Sequence, residues 1–158
     1  MRNQLPRILL TAAVLFVCCA LPCDAAAQRR RHHPRARGYT KAEVDAVIKR
    51  VETRSDAFVK LFDKALDRSG LDGTRREDNL NERARNLEKS LDDLRREFDN
   101  KESYLATRPE VSRTLRVATE INQIMRRRRM DSETERLWTM LRIELNTLAR
   151  VYSLPTLR

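Results

Sequence analysis

A chain of 158 residues with 33 Lys+Arg against 23 Asp+Glu carries a formal charge of +10 and has room for one domain. Only 3 Gly and 5 Pro argue against a β-sandwich or barrel, which needs a turn every ~8–12 residues, and 41% hydrophobic residues exclude wholesale disorder. What is left is a small, charged, helical domain, and no motif in it specifies a reaction.

The chain opens on an address. Arg2 and Arg7 precede an almost unbroken apolar run over 8–20, and Ala25, Ala26 and Ala27 supply the small residues that a signal peptidase accepts. Residues 1–27 therefore read as a cleavable signal peptide, and the mature protein as exported, either periplasmic or secreted. A membrane anchor fits less well, because about 13 apolar residues at ~1.5 Å each span ~20 Å against a hydrocarbon core of ~30 Å. Lipid attachment fits poorly too: Cys18, Cys19 and Cys23 follow Val17, Cys18 and Pro22, where a small residue is required.

Cleavage after Ala27 removes all 3 cysteines, so no disulfide, thiolate metal site or cysteine nucleophile is expected. Both histidines, His32 and His33, lie ahead of the helical part. The folded part thus lacks the commonest general base and the commonest metal ligand. The serines have no basic partner to activate them, and Asp92, Asp93 and Glu97 read as an exposed acidic face. The expectation is a protein that is not an enzyme and takes no cofactor or metal.

Residues 28–39 form a basic tail. Over 28–38, Arg29, Arg30, Arg31, Arg35 and Arg37 stand without an acid or a large apolar side chain, so the segment cannot bury enough surface to fold. Of the +10, residues 1–27 supply +1 and the tail +5, which leaves +4 for the remainder. Such a tail suits loose attachment to an anionic surface, a membrane or lipopolysaccharide, at ~1 kcal/mol per cation. It has no interleaved aromatic for base stacking, which disfavours nucleic acid.

Four helices follow from caps and heptads. Thr40 to Glu43 has the form of a capping box, and Val44, Ile48, Val51, Ser55, Phe58, Phe62, Ala65 and Ser69 then recur at 4,3 spacing. Gly70 is placed to end this helix as a left-handed cap, and Gly73 to widen the turn. Thr74 to Glu77 opens a second run of Leu80, Ala84, Leu87, Leu91, Leu94, Phe98, Lys101 and Leu105. Pro109 suits the first turn of a third helix carrying Val111, Leu115, Ala118, Asn122 and Met125, closed by arginines at 126–129. Ser132 to Glu135 reads as a further capping box ahead of Trp138, Leu141, Leu145, Leu148 and Tyr152, and Pro155 ends the pattern. The expected helices span 41–69, 75–106, 109–130 and 133–152. Short connections imply an all-α, antiparallel up-down-up-down four-helix bundle over 40–153, with a short tail at 154–158.

The first expected hairpin is longer than the second by about 10 residues per helix. If the third helix begins at the Pro109 end, the turn at 70–73 should project by ~10–15 Å. Phe62, Leu66, Leu71 and Leu80 lie in that overhang, and an uncovered apolar seam points to a protein partner or to self-association. Asn122 and Asn146, on or beside the core stripes, are expected to set register rather than bind ligand. The reading is an exported, non-catalytic bundle that acts through protein–protein contacts at Phe62, Leu66, Leu71 and Leu80, with the tail arginines on an anionic surface. The rival reading is a bundle that holds a small apolar molecule near Trp138 and Met125; an enclosed cavity there would favour it.

Overall fold

A computed structural model describes residues 38–158, and within them every regular element is helical. The helices are α1 (Lys41–Asp67), α2 (Arg75–Asn100), α3 (Arg108–Arg127) and α4 (Ser132–Val151), with a 3-10 turn at Tyr104–Thr107 ahead of α3. They pack as a bundle around one core, in which α1 contacts α2 and α4, and α3 contacts α2 and α4. None of the described helices is long and apolar enough to cross a membrane. The expected signal peptide, His32, His33 and the tail arginines Arg29, Arg30, Arg31, Arg35 and Arg37 lie outside the described residues.

The first cap forms as the sequence implies. The Thr40 hydroxyl accepts from the Glu43 N–H at 3.2 Å, and the Glu43 carboxylate accepts from the Thr40 N–H at 2.7 Å, so two orphan donors are satisfied reciprocally. The second is half a box. Thr74 caps the Glu77 N–H at 3.3 Å, but the Glu77 carboxylate reaches past it to the Gly73 N–H at 2.7 Å. The third belongs to a different residue: Asp131, not Ser132, is the cap, accepting from the N–H groups of Glu133 and Thr134 at 3.1 and 3.0 Å. Two N–H groups converge on its Oδ1 and the Thr134 hydroxyl donates to its other oxygen, an arrangement that a serine hydroxyl could not match. The left-handed turn residue is likewise Gly73, at φ +70°, rather than Gly70.

The heptad seams become the core. Val44, Ile48, Val51, Phe58, Leu87, Leu94, Val111, Ala118, Leu141, Leu145 and Leu148 are sealed from solvent. Phe58 stands between Phe62 and Trp138, with ring centroids 5.2 Å from each, and so joins α1 to α4. Ser55 occupies a seam position at 0% exposure, and its hydroxyl has no hydrogen-bond partner. A buried unpaired hydroxyl carries its desolvation cost without return, and alanine is the better helix former. Ser55→Ala should therefore stabilise the fold by about 1–2 kcal/mol, read as a raised urea midpoint with an unchanged slope.

The expected end of the second helix needs correction. α2 stops at Asn100, where Lys101 turns extended (φ −102°, ψ 138°), and the chain climbs through the 3-10 turn before α3 begins. Leu105, assigned to the seam, is 56% exposed. Tyr104 packs inward instead, edge-on to Tyr152 with centroids 5.7 Å apart. The connection brings α3 alongside the middle of α2: the Thr114 hydroxyl donates to the Ser90 carbonyl at 3.1 Å, and Arg83 pairs with Glu120. Hence the overhang inferred from length is not left bare. Phe62 and Leu66 are 1% exposed, Leu80 is 8% exposed and only Leu71 is half-buried, so the seam thought to be uncovered belongs to the core.

Candidate functional site

Two features of the surface stand apart from ordinary helix packing. The first is a strap. α4 ends in a Schellman turn, with the Leu154 N–H donating to the Ala149 carbonyl at 2.8 Å and the Ser153 N–H to the Arg150 carbonyl at 3.1 Å. Ser153 sits at φ +51°, in the left-handed region that glycine usually fills. The turn sends residues 154–158 back over the helices. There Asn146 grips one residue of the strap from both sides: its Oδ1 accepts from the Leu157 N–H at 2.7 Å and its Nδ2 donates to the Leu157 carbonyl at 3.1 Å. Asn122 donates to the Arg158 carbonyl at 2.6 Å and accepts from the Trp138 Nε1–H at 3.2 Å. Leu157 is buried as a result.

The two asparagines were expected to set register between helices. Asn122 does link α3 to α4 through Trp138, and both side chains in addition hold an extended segment of the same chain. The cue available in the sequence was a Leu-Pro pair followed by another leucine just beyond a helix end, which supplies an extended strand with apolar anchors. Ser153→Gly should relieve the left-handed strain and raise stability by about 0.5–1 kcal/mol, a shift of a few degrees in a thermal melt.

The second feature is a division of charge. Arginine side chains of α1 and α2 are largely engaged. Arg95 holds Glu52 with two hydrogen bonds, at 2.9 and 2.7 Å, and reaches Asp45 at 2.6 Å. The Glu52 carboxylate, ahead of Asp45, pushes the Arg95 guanidinium further towards its charged form. Hydrogen bonds from Lys49 and then Arg95 hold the Asp45 carboxyl below its ordinary range. Arg50 and Arg54 converge on the buried Glu144 of α4 at 3.0 and 3.3 Å. By contrast, no arginine within 108–158 forms an ion pair with a described residue. Two acids of this half, Glu120 and Glu144, are taken by arginines of the other. All the lysines from Lys41 to Lys101 lie in the first half, so the cations of α3 and α4 are arginines throughout.

At the α2–α3 side these free arginines shape a groove of about 280 Å³, lined by Arg76, Leu80, Ile124, Arg127 and Arg128. No acidic side chain lines this groove. Glu77 accepts from Gly73, Glu135 from the Met130 N–H at 3.3 Å, and Asp131 caps α4, where the N–H and hydroxyl of Thr134 keep its carboxyl below its ordinary range. A second open groove, of about 260 Å³, lies beside Trp138 and Met125 and is rimmed by Arg126, Glu135 and Arg142. Trp138 and Met125 themselves are buried. Of the acidic face over 92–97, Asp93 pairs with Arg96, and Glu97 pairs with Lys101 at 3.7 Å. Elsewhere burial, and then Asp56 and Asp92, raise the Glu88 carboxyl above its usual range.

No protein-family model, curated protein or solved structure matches this chain.

Proposed function

We propose that this protein is an exported, non-catalytic helical bundle that works through contacts made at its surface, with the arginine tail over 28–39 giving loose attachment to an anionic surface. The observation that supports this reading is the contrast between interior and exterior. Apolar side chains of all four helices fill one core, whereas the grooves between helices open to solvent and are rimmed by arginine. Contacts on such a surface are dominated by charge, and charge complementarity governs encounter and partner choice more than affinity. We further propose the antiparallel up-down-up-down order, with a longer first hairpin. Its support is that residue pairs fall in number on one helix as they rise on the next: Ser90 with Thr114 and Arg83 with Glu120, Phe58 with Trp138 and Arg50 with Glu144.

Of the four residues expected to meet a protein partner, Phe62, Leu66 and Leu80 serve the core, and Leu71 at the α1–α2 turn remains the half-exposed one. A partner contact is therefore proposed at the turn around Leu71 rather than along the seam beneath it. The rival reading, a small apolar molecule near Trp138 and Met125, gains little: the space beside them is an open groove with a charged rim. The deciding experiment is capture of partners by the chain 28–158 from a periplasmic extract at low and at high salt, with Leu71→Ser and tail-neutralised variants in parallel. Partners lost with salt and with the tail variant support attachment through the tail. Salt-resistant partners lost with Leu71→Ser support the turn. Equal recovery by all variants at all salt concentrations refutes both.

A further inference from the structure

We infer that the folded domain carries its own anion site, in the groove of Arg76, Arg127 and Arg128, and that this site docks on the phosphate groups of an anionic lipid bilayer. The inference rests on the proposed attachment to an anionic surface but assigns it to different residues. Three arginines, from α2 and from the C-terminal end of α3, line one groove, and none of them has an ion pair with a described residue. Arg50, Arg83 and Arg95, by contrast, each engage a carboxylate of another helix. Here the carboxylates of Glu77, Asp131 and Glu135 are committed to backbone N–H groups. These carboxylates keep their charge, but none of them lines the groove, whose charged lining is arginine alone, and Arg126 and Arg127 also border an adjoining groove.

The chemistry of the lining selects the occupant. Guanidinium groups form paired hydrogen bonds to phosphate oxygens, which ammonium groups cannot do in the same planar geometry. Leu80 and Ile124 are the apolar lining residues of the groove, suited to the methylene groups next to a headgroup phosphate. No aromatic side chain lines the groove, so the stacking platform of a single-strand nucleic-acid site is missing.

The site can be tested on the chain 28–158, because the core of the described unit lies wholly within it. Vesicles of phosphatidylcholine with and without phosphatidylglycerol serve as probes, with binding read by co-sedimentation. The parent is a tail-neutralised protein (R29Q, R30Q, R31Q, R35Q, R37Q). It is expected to bind the anionic vesicles, to ignore the neutral ones and to release with added salt. Adding R76Q, R127Q and R128Q should weaken binding about 100-fold, and each single change about fivefold, with helix content unchanged by circular dichroism. The single variants carry the test if the triple one loses helix. Three results would overturn the inference: no binding by the parent, equal binding by parent and groove variants, or tighter binding of the parent to a DNA duplex than to vesicles at equal phosphate. If the tail-neutralised parent binds as tightly as the unaltered chain, the tail reading fails and the groove stands. If the parent loses all binding, the groove fails and the tail stands.

Discussion

Replacing Phe58 by alanine is expected to destabilise the fold by about 3–5 kcal/mol, the range for deleting a fully buried aromatic side chain. Phe58 has no exposed surface and its ring lies 5.2 Å from both Phe62 and Trp138. The deletion therefore opens a void at the junction of α1 and α4 and removes two ring contacts at once. Neighbours cannot collapse freely into that void, since they are themselves seam residues of rigid helices with other partners to keep. Domains of this size hold only about 5–15 kcal/mol in total, so the variant should sit near the edge of folding. Urea denaturation followed by circular dichroism would show a much lower midpoint with the slope preserved. A loss below ~1.5 kcal/mol would show that the ring is not wedged as described. Phe58→Leu, which keeps most of the volume, should cost far less.

Asn122→Ala is expected to cost about 2–4 kcal/mol, more than its own packing would suggest. Two partners are orphaned together: the Trp138 Nε1–H, on a side chain only 4% exposed, and the Arg158 carbonyl. An unpaired buried donor costs about 1–3 kcal/mol, and the strap loses one of its two anchoring asparagines in addition. Asn146→Ala makes an instructive contrast. It releases both backbone groups of Leu157, but these can turn to water once the strap lifts, so a cost nearer 1 kcal/mol is expected. Trp138 is the chain's single tryptophan, and its emission reports the difference directly. It should shift to the red in Asn122→Ala as water enters beside the indole, and stay near its starting position in Asn146→Ala. An unshifted spectrum together with unchanged stability in Asn122→Ala would refute the bridging role.

Helices over these stretches were legible because their signals are local. A cap acts within one turn, as Thr40 and Glu43 do, and a seam at 4,3 spacing marks its own buried face whatever packs on it. Errors cluster where two local signals compete or where the chain leaves the helix. At 130–135 both Asp131 and Ser132 suit a cap, and the acid wins because two N–H groups converge on one of its oxygens while a hydroxyl donates to the other. At 100–107 the heptad continues in the sequence through Lys101 and Leu105, yet the helix ends at Asn100, Tyr104 packs edge-on to Tyr152 and Leu105 is left 56% exposed.

Of the candidate sites, charge was legible and placement was not. The arginines at 126–129 read as a cationic helix end, but composition cannot tell which of them lack an acid within reach. That depends on Arg83 and Arg50 crossing to Glu120 and Glu144 from other helices. The apolar overhang at Phe62, Leu66 and Leu80 was inferred from helix length, which says nothing of how far a connecting segment climbs before the next helix begins.

The amino-acid sequence by itself determined that residues 38–158 form a helical bundle without cysteine or histidine among them, with most of its core residues legible from the spacing. Tertiary structure alone decided that α3 lies beside the middle of α2, that Asn122 and Asn146 fasten residues 154–158, and that Arg76 joins Arg127 and Arg128 in one groove. The division has a physical cause. Caps and hydrophobic period act over one or two turns, whereas longitudinal offset between helices and the company of a surface charge depend on residues such as Ser90 and Thr114, 24 positions apart, or Arg50 and Glu144, 94 apart, whose approach no local signal encodes.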